Sequence, residues 1–254
     1  MNQNYDINWL VDNLNKGQAT KFLFFWGHTN KLNEETGKFC FSQWFELPFI
    51  VDGIIYKTAE HWMMANKALL FGDTKTYYKI INADKPGETK ELGRQVLSFD
   101  ETIWNANRYS IVVNGNIHKF NQHPKFADYL IKSDNRVLVE ASPTDTIWGI
   151  GLSQDNAYIN DPNYWRGLNL LGFALMEVRD FLKTHGHFSD LKDMADLPWK
   201  VYPNVDPFDI FWRMGKGEDI ITAFSKYYSK LSDRDQMILR LTNPAPYNWK
   251  NFYD

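Results

Sequence analysis

The 254-residue chain has a single cysteine, Cys40, so neither an intrachain disulfide nor a cysteine-based zinc cage can form. No window approaches the ~18 consecutive apolar residues that a membrane span needs. The opening stretch MNQNYDINWLVDNLNKG lacks the basic segment and apolar core of a signal peptide, which places the expected compartment in the cytoplasm. An excess of charge is missing too. With 28 Lys and Arg against 31 Asp and Glu the net charge is -3, so no general grip on nucleic-acid backbone is expected. A net count does not report local patches, and a base-specific or end-specific nucleic-acid substrate stays open. His28 and His61 have no ligand partners at a recognisable spacing, so no metal is expected, and no cofactor motif is complete. Internal repeats and low-complexity segments are lacking.

Aromatics, by contrast, are abundant: 10 Trp, 13 Tyr and 18 Phe make 16% of the chain. Either large rings fill the core, or some of them form a stacking platform for a planar ligand. Hydrophobic residues at 44% and charged residues at 23% describe a globular protein, with length for one large domain or a domain plus an appendage.

Along the chain, residues 5–15 read as a short helix and residues 21–28 (KFLFFWGH) as a buried β-type run. Asp52-Gly53 between apolar segments is a hairpin signal. Helices are expected at 58–71, 86–96, 100–120, 123–134 and 166–184, with a short strand or extended segment at 136–142. Residues 185–209 read as a connector, and 218–242 as one further helical stretch. No alternation of strand and helix argues for a doubly wound sheet. The predicted class is mainly α (α+β): a compact helical domain over residues 20–185 with a small β element near 21–57. Residues 190–254 form a helical C-terminal extension with no assignable role.

The stretch TAEHWMMANKALLF, residues 58–71, raises the functional question. Apolar groups surround this helix, which marks it as buried, yet it carries Glu60 and Lys67. At 100° per residue the two fall within about 20° of each other, and about 10 Å apart along the axis. An exposed ion pair at three- or four-residue spacing does not explain them. Either they snorkel to water, or both reach toward a shared ligand. A partly desolvated lysine has a lowered pKa and is a nucleophile toward a sugar aldehyde, with Glu60 as acid/base or as stabiliser of positive charge at an anomeric carbon.

Other positions carry two readings each. Trp26, Gly27 and His28 end the apolar run, where glycine permits close backbone approach and His28 either meets a phosphate or hydroxyl or serves structure alone. Ser42, Gln43 and Trp44, and Trp148 with Gly149, set rings beside polar or glycine residues, unlike pure core. The Gly149-Ile150-Gly151 pattern lacks the rest of a dinucleotide loop. Asp145 caps its turn or holds a ribose or catalytic water. Arg94 is a phosphate-binding candidate or a surface ion-pair partner, and Trp104 lies one helical turn from Arg108.

The segments FLFFWGH, CFSQW, AEHWMMANKALLFGD, LGRQV with the following SFD, NGNIHKFNQHP, VLVEASPTDTIWGIGL and WRGLNLLGFALMEVRDFL run in order from about residue 22 to 182. Together they closely resemble the NADAR (YbiA-like) family. The resemblance implies a compact, mainly helical fold and N-glycosidase activity: release of ADP-ribose from guanine in nucleic acid, or hydrolysis of a riboflavin-pathway intermediate. It implies Glu60 as the acid, Lys67 as a Schiff-base lysine and Asp145 as a third catalytic position. Trp26, Gly27, His28, Ser42, Gln43, Trp44, Trp62, Arg94, Trp104, Trp148, Gly149 and Asn169 are the expected substrate-binding residues. The WGIG form of the loop favours ADP-ribosyl-guanine over the riboflavin intermediate. A non-catalytic reader of NAD or ADP-ribose is the rival from another class. A toxin or antiphage-system partner is a compatible biological setting.

Overall fold

A computed structural model describes residues 3–253, and all of the motifs above lie in the first of its two units, Met1–His187. Helix α1 (Ile7–Asn15) starts where the Asp6 carboxylate accepts the Trp9 amide at 2.7 Å. Strand β1 (Phe22–Phe25) follows. Strands β2 (Phe49–Val51) and β3 (Ile54–Tyr56) form the hairpin expected from Asp52-Gly53. Both turn residues sit at positive φ, 51° and 75°, as the tight turn that matches strand twist requires. Helices α2 (Ala59–Leu70), α3 (Thr74–Asn82), α4 (Pro86–Arg94), α5 (Glu101–Asn121) and α6 (Pro124–Ile131) come next. Thr58, Asp73 and Asp100 cap the first, second and fourth of these, and proline opens the other two. Strand β4 (Val137–Glu140) and helix α7 (Leu170–His185) complete the unit.

The main departure from the sequence reading concerns the β structure. The predicted local element near 21–57 is only half local. Strand β1 pairs in parallel with β4, Phe22 opposite Val137 through Phe25 opposite Glu140, across more than a hundred residues. Both strands run into the core, where Leu23, Phe25, Leu138 and Val139 are buried. Helix α7 packs on β4, α5 on α7 and α2 on α5, as the predicted mainly α class requires.

The second unit, Phe188–Asp254, has its own small core of Leu197, Phe224 and Leu239, with Trp199, Phe252 and Tyr253 packed against it. It contains α8 (Pro198–Val201), α9 (Gly215–Tyr228) and α10 (Asp233–Thr242). Two expectations are corrected here. Residues 185–209 are not a bare connector, because Leu197 is core and α8 lies within them. The single helical stretch at 218–242 is two helices: Ser232 accepts the Asp235 amide and starts α10 afresh. No helix among the described residues is long and apolar enough to cross a membrane.

Candidate active site

Helix α2 supplies the centre of the site. The Thr58 hydroxyl accepts the His61 amide and sits 2.8 Å from His61 Nδ1, while His61 Nε2 lies 3.2 Å from the Ala83 carbonyl. A proton on Nε2 satisfies both ring contacts at once, and burial lowers the His61 pKa, consistent with a neutral imidazole. This anchor fixes the rotation of α2. Trp62 then turns into the core against Phe49, Tyr56 and His118, and its indole N–H donates to the Ile111 carbonyl at 2.8 Å. The other face presents Glu60, Met63, Met64 and Lys67 to a cavity of about 190 Å³.

Glu60 is 3% exposed, and its amide donates to the Gln43 carbonyl at 3.0 Å. Burial pushes its carboxyl up to about 7; the neighbouring Asp145 charge adds to the rise, whereas Lys90 and a Trp44 side-chain hydrogen bond oppose it. Lys67 donates to the Gly93 carbonyl at 2.8 Å, and its ammonium lies 4.2 Å from the Phe99 ring centre and 5.5 Å from that of Trp104. Half-burial among these groups lowers its pKa. That carbonyl can come so close because residue 93 has no side chain. A Cβ there would stand 2.0 Å from the Met64 sulfur. The spacing that put Glu60 and Lys67 on one helical face thus brings both to one cavity, and Lys67 spends its ammonium on a carbonyl rather than on Glu60.

Several other elements close the cavity, among them α7 through Leu171. From the turn after residue 41 come Ser42, Gln43 and Trp44. Gln43 is 6% exposed, and neither its amide oxygen nor its amide nitrogen has a hydrogen-bond partner. The fully buried Lys119 on α5 holds this turn by donating to the Cys40 and Ser42 carbonyls at 2.7 and 3.0 Å. From α4 come Lys90 and Arg94, and from α5 Trp104. Arg94 is exposed and pairs with Glu91, so the ion-pair reading and the cavity position both apply to it.

The end of β4 and the loop after it supply Glu140, Asp145 and Trp148. Asp145 Oδ1 accepts the amides of Ile147 and Trp148 at 2.8 and 2.7 Å, which makes the residue a turn cap as well as part of the wall. Glu140 was missed in the sequence reading. Its Oε2 is sealed from solvent with no hydrogen-bond partner. Burial pushes its carboxyl up to about 8, with Asp145 and Glu60 adding and Lys90 opposing. The available signal was a carboxylate ending the apolar run Val137-Leu138-Val139 just before the loop. Lys90 was missed as well; its signal was the four-residue spacing to Arg94 on one helix.

Six expected substrate contacts do not line this cavity. Trp62 is core, for the reason given above. Asn169 is fully buried in left-handed backbone, φ 52°, where its side chain accepts the Glu140 amide at 3.0 Å and donates to the Leu138 carbonyl at 2.9 Å. It fastens β4 instead of facing a ligand. Gly149 is packed so that a Cβ would meet the Glu140 and Asp145 carbonyls at 2.9 and 3.0 Å, so its role is close backbone approach. Trp26, Gly27 and His28 are exposed and line a separate groove with Lys38, Phe39 and Tyr129. His28 approaches the site only through its ring contact with Trp44, 5.8 Å between centres.

Known proteins of related sequence and fold cover the same stretch of the chain. N-glycosidase R617 of Acanthamoeba polyphaga mimivirus is 43% identical over 168 residues, covering 64% of this chain and 97% of that protein. N-glycosidase YbiA of Escherichia coli K12 is 28% identical over 142 residues, covering 56% of this chain and 80% of that protein. The NMR structure of Escherichia coli YbiA shares the fold at a TM-score of 0.51 and 22% identity, over 67% of this chain and 92% of that one. The model of the NADAR domain matches residues 24–183, which contain every residue of the cavity wall. The chain belongs to the NADAR domain family.

Proposed function

We propose that this protein is an N-glycosidase that hydrolyses the bond between a base nitrogen and ribose, and that it removes ADP-ribose from ADP-ribosylated guanine. One observation carries the reading. A buried carboxyl and a half-buried lysine share a single small cavity, and burial shifts both toward neutral pH, the carboxyl up to about 7 and the lysine downward. The relatives that bear the name N-glycosidase support the same reaction type.

In this reading Lys67 attacks C1 of the ribose as a free amine. The new N–C1 bond replaces the bond to the base, the sugar ring opens to an imine, and water then returns the lysine and releases ADP-ribose. Glu60, as carboxylate, stabilises positive charge at C1. A cavity of about 190 Å³ is smaller than the ~300–1,000 Å³ typical of drug-sized ligands. It suits the sugar and the atoms joined to it, with the rest of the substrate outside. The unpaired amide of Gln43 is available to the ribose hydroxyls.

The test is a mass-spectrometric time course on an oligonucleotide carrying one ADP-ribosylated guanine, with borohydride added to trap the imine. Loss of the ADP-ribose mass, intact guanine and a reduced adduct on Lys67 are expected. Full turnover by folded Lys67→Ala would refute the covalent route. Binding of ADP-ribose without release of any base would instead establish a non-catalytic reader, and release from the riboflavin intermediate alone would reassign the substrate.

A further inference from the structure

We propose that Glu140, rather than Glu60 or Asp145, is the acid that protonates the departing base, an assignment that rests on the N-glycosidase reading. The geometry first separates Glu140 from Asp145. Asp145 Oδ1 is committed to the amides of Ile147 and Trp148, so that oxygen is already bound within its own loop. Glu140 has no such commitment: Oε2 is buried and unpartnered in the wall of the same cavity as Glu60 and Lys67. Its backbone is clamped by Asn169, which accepts the Glu140 amide and donates to the Leu138 carbonyl, and by strand pairing opposite Phe25. The clamp fixes where the carboxyl can reach.

A carboxyl oxygen sealed from solvent with no donor, as Oε2 is here, favours the protonated acid over the anion. Of the charged groups facing the cavity, Glu60 from α2 and Asp145 from the loop reinforce this as like charges, and Lys90 from α4 opposes it; Lys67 from α2 and Arg94 from α4 are the other cations. Two carboxyls that share a site do not both ionise readily: the Trp44 side chain hydrogen-bonds to Glu60 and favours its anion, whereas Glu140 Oε2 has no donor, so the proton settles on Glu140. The pair therefore divides the labour: Glu60 offers the anion and Glu140 the proton.

The step balances as follows. Lys67 Nζ forms a bond to C1, the C1–N bond to the base breaks, and its electron pair passes to the base nitrogen. The Glu140 proton goes to the base, leaving a carboxylate. A proton from the attacking nitrogen moves to the ring oxygen as the ring opens to the iminium. Water then adds to C1 and loses a proton to solvent, the lysine leaves as the free amine as the new hydroxyl proton passes to its nitrogen, and Glu140 regains its proton from solvent once the base has gone.

Glu140→Gln keeps the shape and removes the proton, and free ADP-ribose supplies a probe from which no base departs. Base release from the ADP-ribosylated oligonucleotide is expected to fall about 100- to 10,000-fold. Borohydride trapping of Lys67 with free ADP-ribose is expected to proceed at the wild-type rate. The wild-type rate of base release declines as pH rises through about 8, and the variant loses that limb. Retained base release, an unchanged pH profile, or an equal loss in both assays would overturn the assignment, the last by showing a structural role. Should the wild type release no base from any N-riboside, the N-glycosidase reading falls and this assignment with it.

Discussion

Replacing Asn169 separates two contributions to the placement of Glu140. The side chain satisfies one amide and one carbonyl of β4, and its backbone sits in the left-handed region. Asn169→Gly relieves the backbone preference but leaves both β4 groups without a partner, at about 1–3 kcal/mol each, or about 2–6 kcal/mol in total. Water reaching the part-buried Glu140 amide brings the cost toward the lower end. Asn169→Ala loses the same bonds and adds about 1–2 kcal/mol, because a Cβ disfavours left-handed backbone more than asparagine does. The clamp acts on one strand pair, so a local readout is more direct than a global unfolding midpoint. Native-state hydrogen exchange of peptides covering residues 22–25 and 137–140 reports the strand pair alone. Reduced protection is expected in the order wild type, glycine variant, alanine variant. Equal protection in all three would refute the clamp, and equal loss in the two variants would refute the backbone term.

Gln43→Leu removes an amide that has no partner, so thermal stability should hold or rise slightly while KM increases; a fall of more than about 2 kcal/mol in stability would contradict this. Lys119→Met fills the same space but strips the donor from two carbonyls, and should destabilise by about 1–3 kcal/mol in chemical denaturation and slow turnover through the displaced turn; unchanged values for both would exclude the positioning role. In the wild type, the Glu140 carboxyl is raised from 4.5 to about 8 on folding, so its contribution is complete below about 4.5 and is lost as pH climbs to about 8. Glu140→Gln should therefore flatten the stability decline over that window, and an identical slope in both proteins would sink the assignment. Gly93→Ala should push Met64 and α4 apart, costing about 1–3 kcal/mol and weakening the Lys67 contact, measured as slower borohydride trapping; full trapping would show that the carbonyl does not position the lysine.

By itself the sequence determined the features that are local or periodic. Asp52-Gly53 specifies its hairpin because only certain residues accept the turn's positive φ. Proline and capping side chains specify where α2, α4, α5 and α6 begin. A helix repeat of 3.6 residues dictates that Glu60 and Lys67 share a face. Which face of α2 meets the core was decided by tertiary contacts, through the anchor of His61 on Ala83 and the burial of Trp62. For that reason Trp62 and Lys67, equally plausible as ligand contacts on paper, part company in the fold. Likewise the parallel pairing of β1 with β4 depends on two short apolar segments far apart in the chain, and neither carries a signal naming the other. That pairing, with Asn169 fastened to β4, is what delivers Glu140 to the cavity it shares with Glu60. A carboxyl's protonation state depends on what surrounds it in space, and those surroundings exist only once the helices and the strand pair have closed around it.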